Sequence, residues 1–262
     1  MSSLEAKGLS KAFGGVKAID DFSFEVDDHD IVGIIGPNGA GKTTVFNLLT
    51  GIYPLDAGQV FLDGKELTGM PQHTITRAGI ARTFQNIRLF RGLNVLQNVM
   101  TAADPYSDYN LLDVCFFTPR KHRREHAVRD LSRNYLKIVG LEGYEKERPE
   151  SLPYGLQRKL ELARALATNP RLLLLDEPAA GLNPSEVRSF IDLIRTLHGQ
   201  FPFAIIIIEH RMEVVMELSS KVFVLNFGKL LASGSPDEII SHKAVAQAYL
   251  GEEEPEEVAC SE

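Results

Sequence analysis

A glycine-rich loop directly after a largely aliphatic run is the feature that most constrains this chain. Residues 31–35 read IVGII, which predicts a buried β-strand, and residues 36–44 read GPNGAGKTT. Glycine lets the backbone turn tightly enough for successive N–H groups to face one anion, and the positive end of the following helix strengthens the attraction. The pattern therefore predicts a phosphate-binding loop between a strand and a helix.

The end of this loop indicates a nucleotide. The Lys42 ammonium can neutralise the β- and γ-phosphates, and the Thr43 hydroxyl can be a ligand for Mg²⁺. We therefore expect the loop to bind nucleotide phosphates together with Mg²⁺. Its other candidate binding residues are Gly36, Pro37, Asn38, Gly39, Ala40, Gly41 and Thr44.

A second strand supplies the carboxylates that hydrolysis needs. Residues 172–178 read LLLLDEP, so two acidic side chains stand where a buried strand ends. Asp176 can reach the Mg²⁺ shell, and Glu177 can act as the general base that takes a proton from the attacking water. Acidic residues also follow buried strands without a catalytic role, but the presence of both strands in one chain favours hydrolysis.

Three further residues are candidates on weaker grounds. Gln85, in ARTFQNIRLF, can coordinate Mg²⁺ and sense the γ-phosphate, although alone it also fits an ordinary loop glutamine. His210 follows the aliphatic run of residues 205–208 and can hydrogen-bond the γ-phosphate or orient the water, whereas a lone histidine there is often structural. Phe13 can stack on adenine or belong to the core.

Hydrophobic periodicity predicts an α/β fold. Phe22, Phe24 and Val26 alternate with polar residues, as in a half-buried antiparallel strand. Residues 172–175 and 205–208 are continuous aliphatic runs, as expected of central parallel strands. An apolar stripe at helical spacing lies between these runs and predicts the crossover helix. Its members are Val187, Phe190, Ile191, Ile194 and Leu197.

Residues 86–148 have a different character, because they contain no aliphatic run of four. We interpret them as a helical subdomain inserted in a single domain of residues 1–250, whose α/β core and β-subdomain are residues 1–85 and 149–250. Residues 251–262 carry six glutamates and are predicted to be a disordered acidic tail. The apolar residues at helical spacing in the inserted segment are Leu93, Leu96 and Val99, then Leu131, Tyr135 and Ile138.

A histidine pair in the same segment offers a second, weaker site. His122 and His126 lie four residues apart in the basic run RKHRREH, a spacing that can hold a metal on one helix face. The sequence shows no third ligand candidate. The favoured interpretation is therefore a solvated basic helix.

Composition disfavours several functional classes. The formal net charge of −7 argues against a general nucleic-acid binder. No apolar stretch approaches the roughly 20 residues that span a bilayer, and the N-terminus lacks the hydrophobic region of a secretory signal. We expect a soluble cytosolic chain that meets a membrane only through a partner. Cys115 and Cys260 lie far apart, which suits a reducing compartment and offers no metal-ligand spacing.

The ordered motifs resemble those of an ATP-binding-cassette (ABC) transporter ATPase over almost the whole chain. The forms around Gln85, in the segment LPYG and in DEPAAGLNP are most similar to the ATP-binding subunits of bacterial branched-chain amino-acid importers. The motifs that carry the resemblance are Phe13, GPNGAGKTT, Gln85, LPYGLQRKLELARAL, LLLLDEP, AAGLN and His210.

The resemblance implies a P-loop NTPase (RecA-like) core with an antiparallel β-subdomain and an inserted helical subdomain. It implies ATP and Mg²⁺, and a dimer of cassettes in which each ATP lies between one subunit's phosphate loop and the other's signature. It also implies integral membrane permease subunits, an extracytoplasmic substrate-binding protein that acts indirectly, and a peripheral place at the cytoplasmic face of the inner membrane.

The signature departs from the family form LSGGQ, because Leu152, Pro153, Tyr154, Gly155 and Leu156 stand in its place. Gly155 still opens a helix whose N–H groups and dipole can face a phosphate, but a serine hydroxyl is lost. Losing a charge-assisted hydrogen bond costs about 1.5–3 kcal/mol. Asn183 replaces the aspartate that is common at the end of the motif AAGLN, and this change should also weaken the ATP site. We therefore hypothesise a heterodimer with one standard and one altered ATP site, while a homodimer remains open.

Two other functions remain compatible with the sequence. One is a soluble cassette ATPase that works on nucleic acid or ribosomes. Such proteins usually have two cassettes in one chain or a long coiled-coil insertion, and this chain has neither. An orphan cassette that only senses nucleotide is disfavoured by Glu177 and His210. The cargo is equally open, since urea, other amino acids and lipid-type molecules are served by neighbouring subfamilies. A permease can dock on Ile87, Leu89 and Phe90, flanked by Arg88 and Arg91, unless these residues only pack the helical subdomain.

Overall fold

The computed structural model describes residues 2–103 and 119–250, and this part of the chain contains ten strands and nine α-helices. The strands are β1 Ser2–Phe13, β2 Val16–Asp27, β3 Ile31–Ile35, β4 Ala57–Leu62, β5 Lys65–Glu66, β6 Ile80–Arg82, β7 Leu172–Asp176, β8 Ala204–Ile208, β9 Lys221–Asn226 and β10 Lys229–Gly234. The helices are α1 Lys42–Leu49, α2 Gln72–Ala78, α3 Val95–Ala103, α4 Pro119–Ile138, α5 Tyr154–Ala167, α6 Pro184–Gln200, α7 Met212–Leu218, α8 Pro236–Ser241 and α9 Lys243–Leu250. Short 3₁₀ helices cover Glu142–Tyr144 and Pro149–Ser151.

The larger sheet has six strands in the order β10-β9-β3-β8-β7-β6. Strands β6, β7, β8, β3 and β9 are parallel to their neighbours, and β10 joins β9 as an antiparallel hairpin. Every residue of β3, β7 and β8 is buried, which is why these strands read as continuous aliphatic runs. The predicted central parallel strands and the crossover helix α6 are therefore confirmed.

The smaller sheet is antiparallel, with the order β2-β1-β4-β5. Its buried face includes Phe22, Phe24 and Val26, as the alternation predicts. These side chains pack with α1 and with one face of the larger sheet in a common core. Helix α1, which begins at the phosphate-binding loop, is thus held between the two sheets.

The opposite face of the larger sheet is covered by helices. Apolar residues of α3, α4, α5 and α6 share a core with Leu173, Leu175, Ile205 and Ile207. The described part of residues 86–148 contains helices and no strand. Its packing partner α5 lies beyond residue 148, so the subdomain limits stay a prediction.

The predicted stripe of α4 is wrong in one member. Leu131 is 41% exposed, whereas Val128, Ser132 and Tyr135 are buried. Sequence spacing left the helix phase ambiguous, because residues three and four apart both lie on one face. Leu93 also lies outside a helix, since α3 begins at Val95.

The remaining sequence predictions concern ligands and termini. The Nε2 atoms of His122 and His126 lie 3.1 Å apart, and the described residues contain no group of three or more His, Cys, Asp or Glu that could hold a metal ion. Cys115, Cys260 and the predicted acidic tail of residues 251–262 lie outside the described residues. Within residues 2–103 and 119–250, no helix has the length and apolar character that crossing a membrane requires.

Candidate active site

The phosphate-binding loop has a backbone that only glycine fits. Gly36, Gly39 and Gly41 all have positive φ angles, of 150°, 78° and 102°. A Cβ at Gly36 would lie 2.1 Å from the Leu225 carbonyl oxygen, and one at Gly41 would lie 2.5 Å from that of Ala18. The glycines therefore serve both the turn and the close approach of neighbouring strands.

The loop ends at the first residue of α1, where the charge is concentrated. The Lys42 Nζ donates hydrogen bonds to the carbonyl oxygens of Gly36 at 2.6 Å and Pro37 at 2.8 Å, and the side chain is buried. Thr43 follows on the exposed side of the helix start. A cation, a helix N-terminus and a glycine turn thus lie together in one short segment, an arrangement that fits the phosphates of a nucleotide.

Glu177 lies between two of the other predicted residues. Its Oε2 accepts a hydrogen bond from Gln85 Nε2 at 2.7 Å, and its Oε1 lies 2.8 Å from His210 Nε2. The three side chains come from the ends of the adjacent parallel strands β6, β7 and β8. The carboxyl ends of parallel strands meet at one edge of the sheet, and this edge also carries the phosphate-binding loop after β3.

The backbone at Glu177 is held in an unusual conformation. Its φ is 45°, in the left-handed region, and its N–H donates to the Ile208 carbonyl oxygen at 2.9 Å. A non-glycine residue in this region costs on the order of 1 kcal/mol, and such residues cluster at active sites. The surrounding strands therefore fix the direction in which this carboxylate points.

Asp176 has a partner that sequence reasoning missed. Its Oδ2 lies 2.6 Å from Arg82 Nη2, and both side chains are buried. Arg82 also donates to the Asn47 side chain at 2.7 Å and lies over the Phe46 ring. A buried aspartate needs a counter-ion, and the arginine three residues before Gln85 was the available signal.

The predicted Mg²⁺ ligands form an oxygen-rich set. Thr43 offers a hydroxyl, Asp176 a carboxylate and Gln85 an amide whose nitrogen faces Glu177, so that the amide oxygen is the atom left for a cation. Oxygen ligands of this kind suit Mg²⁺. The residues present therefore fit the ion.

Phe13 is not a core residue. It is 42% exposed at the end of β1, and its ring meets the Tyr53 ring edge to face at 5.1 Å. Of its two predicted roles, the exposed ring fits the stacking role better. Tyr53 is a second aromatic residue that the sequence analysis did not identify.

The signature residues begin α5, with Pro153 as the N-cap and Tyr154 as the first helical residue. A Cβ at Gly155 would lie 2.8 Å from Glu186 Oε1, and the Tyr154 ring lies against Gly181. Within one chain, the signature therefore packs on the segment after Glu177. Leu156 is partly buried against the helical core.

Asn183 has a clear structural role. Its side-chain oxygen accepts hydrogen bonds from the N–H groups of Ser185 and Glu186 at 3.0 Å each, and its own N–H donates to Glu186 Oε2 at 2.9 Å. This capping box starts α6. Asparagine and aspartate are comparable N-caps, so the cap itself does not require the aspartate that is common here.

Comparison with known proteins identifies the family. A profile of the ABC transporter family matches residues 19–180. The chain belongs to this family. A second profile, that of the branched-chain amino acid ATP-binding cassette transporter, matches residues 229–258 of this cassette.

Individual relatives cover nearly the whole cassette. BraF of Pseudomonas aeruginosa, a high-affinity branched-chain amino acid transport ATP-binding protein, is 43% identical over 249 residues, which are 95% of this chain and 98% of BraF. LptB of Escherichia coli, of the lipopolysaccharide export system, is 34% identical over 253 residues, or 97% and 99% of the two chains. The ADP conformation of the cassette MJ1267 has a TM-score of 0.83 at 29% identity and covers 96% of this chain and 100% of that one. The expected P-loop NTPase fold is confirmed, and this ABC ATPase binds and hydrolyses ATP.

The cassette contains a further buried carboxylate that sequence reasoning missed. Glu209 is 3% exposed, and it accepts hydrogen bonds from the N–H groups of Ala179 at 2.7 Å, His210 at 3.1 Å and Arg211 at 3.3 Å. Burial raises the pKa of Glu209 above its ordinary value. Ala179 lies in the turn after Glu177, whereas His210 and Arg211 directly follow Glu209. Glu209 therefore orders the turns that carry Glu177 and His210.

Proposed function

We propose that this cassette is the ATP-hydrolysing subunit of an importer for branched-chain amino acids. In this proposal it is peripheral at the cytoplasmic face of the inner membrane and drives separate integral permease subunits. An extracytoplasmic substrate-binding protein delivers the cargo to the permease. The observation that carries the catalytic part is the position of Glu177, between Gln85 and His210 and at the sheet edge that bears the phosphate-binding loop.

The relatives favour this cargo over the alternatives. BraF, named for branched-chain amino acids, is 43% identical, while LptB, named for lipopolysaccharide export, is 34% identical at similar coverage. The profile over residues 229–258 also carries the branched-chain name. Together these likenesses support amino-acid cargo rather than lipid-type cargo.

Each site residue has a separate role in ATP hydrolysis in this proposal. Lys42 and the N–H groups of the loop bind the phosphates, and Phe13 stacks on adenine. Glu177 takes a proton from water as the water oxygen bonds to the γ-phosphorus and ADP leaves. His210 and Gln85 hold the two oxygens of that carboxylate in place.

Mg²⁺ held by Thr43, Gln85 and Asp176 would supply positive charge against the β- and γ-phosphates. Arg82 holds Asp176 in its orientation through the 2.6 Å ion pair.

A sister cassette completes the ATP site. Tyr154 and Gly155 are the first two residues of α5, and the first N–H groups of a helix have no partner within the helix. They can therefore face the sister's γ-phosphate, with Pro153 and Leu156 beside them. Separate inactivation of Glu177 and of the sister's matching glutamate decides between equal and unequal ATP sites.

The permease surface is a cavity of about 510 Å³ beside the Gln85 segment. Of the five residues predicted for docking, Arg88, Leu89 and Phe90 line it, and Phe90 is 51% exposed. Leu89 also packs partly against the helical core. An apolar cavity with a basic rim suits a short amphipathic helix of a membrane protein.

The test is reconstitution of the cassette with its permease and binding protein in proteoliposomes. Leucine, isoleucine or valine should drive ATP-dependent uptake, whereas urea and lipid-type cargo should not. Lys42→Ala should weaken ATP binding and abolish uptake, while Lys65→Ala, on the exposed strand β5, should change neither. Failure to recover any integral membrane protein with the cassette would contradict the transport role.

A further inference from the structure

Tyr154 stands where the family form LSGGQ has its first glycine, and the structure gives it contacts that glycine cannot make. The side chain is 43% exposed at the start of α5. Its hydroxyl accepts a hydrogen bond from Arg158 Nη2 at 2.8 Å, and the Arg158 guanidinium carbon lies 5.3 Å from the ring centroid. The tyrosine is therefore tied to a cation one helical turn away.

Arg158 in turn holds the backbone of the Gln85 segment. It is 4% exposed, and it donates from Nη1 to the Phe84 carbonyl oxygen at 2.7 Å and from Nη2 to that of Gln85 at 2.5 Å. Glu161 lies 3.3 Å from Nη1 and accepts from the Phe84 N–H at 3.2 Å. A planar guanidinium can serve several acceptors in fixed directions, which a lysine ammonium cannot do.

The Gln85 side chain connects this cluster to the candidate base. Its Nε2 donates to Glu177 Oε2 at 2.7 Å. Tyr154, Arg158, Gln85 and Glu177 therefore form an uninterrupted series of hydrogen-bonded residues from an exposed ring to the site of hydrolysis.

The Tyr154 ring also meets the segment after Glu177. A Cβ at Gly181 would lie 3.0 Å from Tyr154 Cε1, and the φ of Gly181 is +77°. The glycine therefore allows the ring to lie close to the backbone four residues beyond Glu177. Tyr154 thus contacts the segment after Glu177 directly and the Gln85 segment through Arg158.

We propose that Tyr154 and Arg158 are positioning residues for hydrolysis in their own chain. They hold Gln85 against Glu177, and a sister cassette that covers the exposed Tyr154 ring shifts Gln85. The replacement of glycine by tyrosine thus links the surface that serves the sister's ATP to the base that acts on the chain's own ATP. This inference rests on the proposed dimer and on Glu177 as the base.

The test uses Tyr154→Phe and Arg158→Lys in the assembled transporter. Tyr154→Phe removes one hydroxyl and keeps the ring, so kcat for ATP should fall about fivefold while KM changes less than about twofold. Arg158→Lys should give a larger fall in kcat, because one ammonium replaces two fixed donor directions. Tyr144→Phe and Arg195→Lys, at exposed positions outside this series, are the matched controls.

A second arm separates positioning from a general packing role. In a Gln85→Ala background, Tyr154→Phe should have no further effect on the residual kcat, because the residue it positions has lost its side chain. An unchanged kcat in Tyr154→Phe, or the full fivefold fall in the Gln85→Ala background, overturns the inference. Thermal unfolding of each variant identifies a folding defect in Arg158→Lys, and Tyr154→Phe still decides the question in that case.

The two proposals fail in different ways. If Glu177→Gln stops hydrolysis while Tyr154→Phe has no effect, only the positioning role is wrong. If Glu177→Gln hydrolyses ATP normally, the assignment of the base is wrong.

Discussion

Glu177 and Glu209 occupy matching places in the sheet and differ in what surrounds them. Each is the first residue after a buried parallel strand, and the strands β7 and β8 pair so that Asp176 lies opposite Ile208. Glu177 has side-chain partners and a side chain that is 15% exposed, whereas Glu209 is buried and accepts three backbone N–H groups. The partners, and not the residue type, decide which glutamate can meet a substrate and which one orders the turns.

The largest expected effect tests the catalytic half of this comparison. Glu177→Gln keeps the shape of the side chain but cannot accept a proton from water, so ATP hydrolysis should fall about 10²- to 10⁴-fold. ATP should stay bound and hold the cassettes together. Phosphate release and nucleotide binding measure the two quantities.

The control is Glu142→Gln, at an exposed carboxylate in the helical region. It should hydrolyse ATP at the normal rate. Normal hydrolysis by Glu177→Gln as well would assign the base to another group.

The second largest effect concerns Asp176, the buried carboxylate that precedes Glu177 at the end of β7. Arg82→Met leaves Asp176 buried without its ion pair, so the free energy of unfolding should fall by about 3–5 kcal/mol. Denaturant unfolding measures it. Arg171→Met removes an exposed pair with Asp63 and should cost less than about 1 kcal/mol; equal losses would show that burial does not distinguish the two pairs.

The smallest expected effect concerns Glu209, the structural glutamate of the pair. Glu209→Gln turns an acceptor oxygen into a donor that faces backbone N–H groups, so the free energy of unfolding should fall by about 1–3 kcal/mol. Hydrolysis by the folded variant should fall far less than in Glu177→Gln. The reverse ranking of the two variants in hydrolysis would exchange their roles.

The pH dependence of the same variant has a definite sign. Burial raises the pKa of Glu209. The contribution of Glu209 to stability is therefore complete below the pKa that this residue has in the unfolded chain, and it is lost as the pH rises through the pKa of Glu209 in the folded protein. The destabilisation by Glu209→Gln should therefore be larger at about pH 4 than at about pH 7. Urea unfolding of both proteins across this range measures it, and a destabilisation that grows with pH contradicts the raised pKa.

Most features that could be predicted from the sequence depend on residues close together in the chain. The strand, the glycines and Lys42 lie within one short segment, and their chemistry needs that order, so the loop could be recognised directly. The buried face of α4 could not be predicted in this way, because Leu131 and Val128 both fit a helical stripe with Tyr135. Burial in the helical core selected Val128.

Distant contacts were beyond the sequence for a different reason. Arg82 and Asp176 are 94 residues apart, and Arg158 reaches Gln85 across 73 residues. The sequence indicates that a buried aspartate needs a cation, but it does not show which arginine supplies it. Only the packing of β6 beside β7 and of α5 beneath the Gln85 segment brings these residues together.

By itself the sequence determined the phosphate-binding loop, the two acidic residues after β7 and the α/β character, since each depends on short-range order in the chain. Only the tertiary structure decided that Gln85 and His210 both hold Glu177, that Glu209 is saturated by backbone N–H groups, and that Tyr154 is tied to Arg158. These outcomes depend on which strand ends and helix starts become neighbours when the apolar faces are buried, and that adjacency is a property of the whole fold.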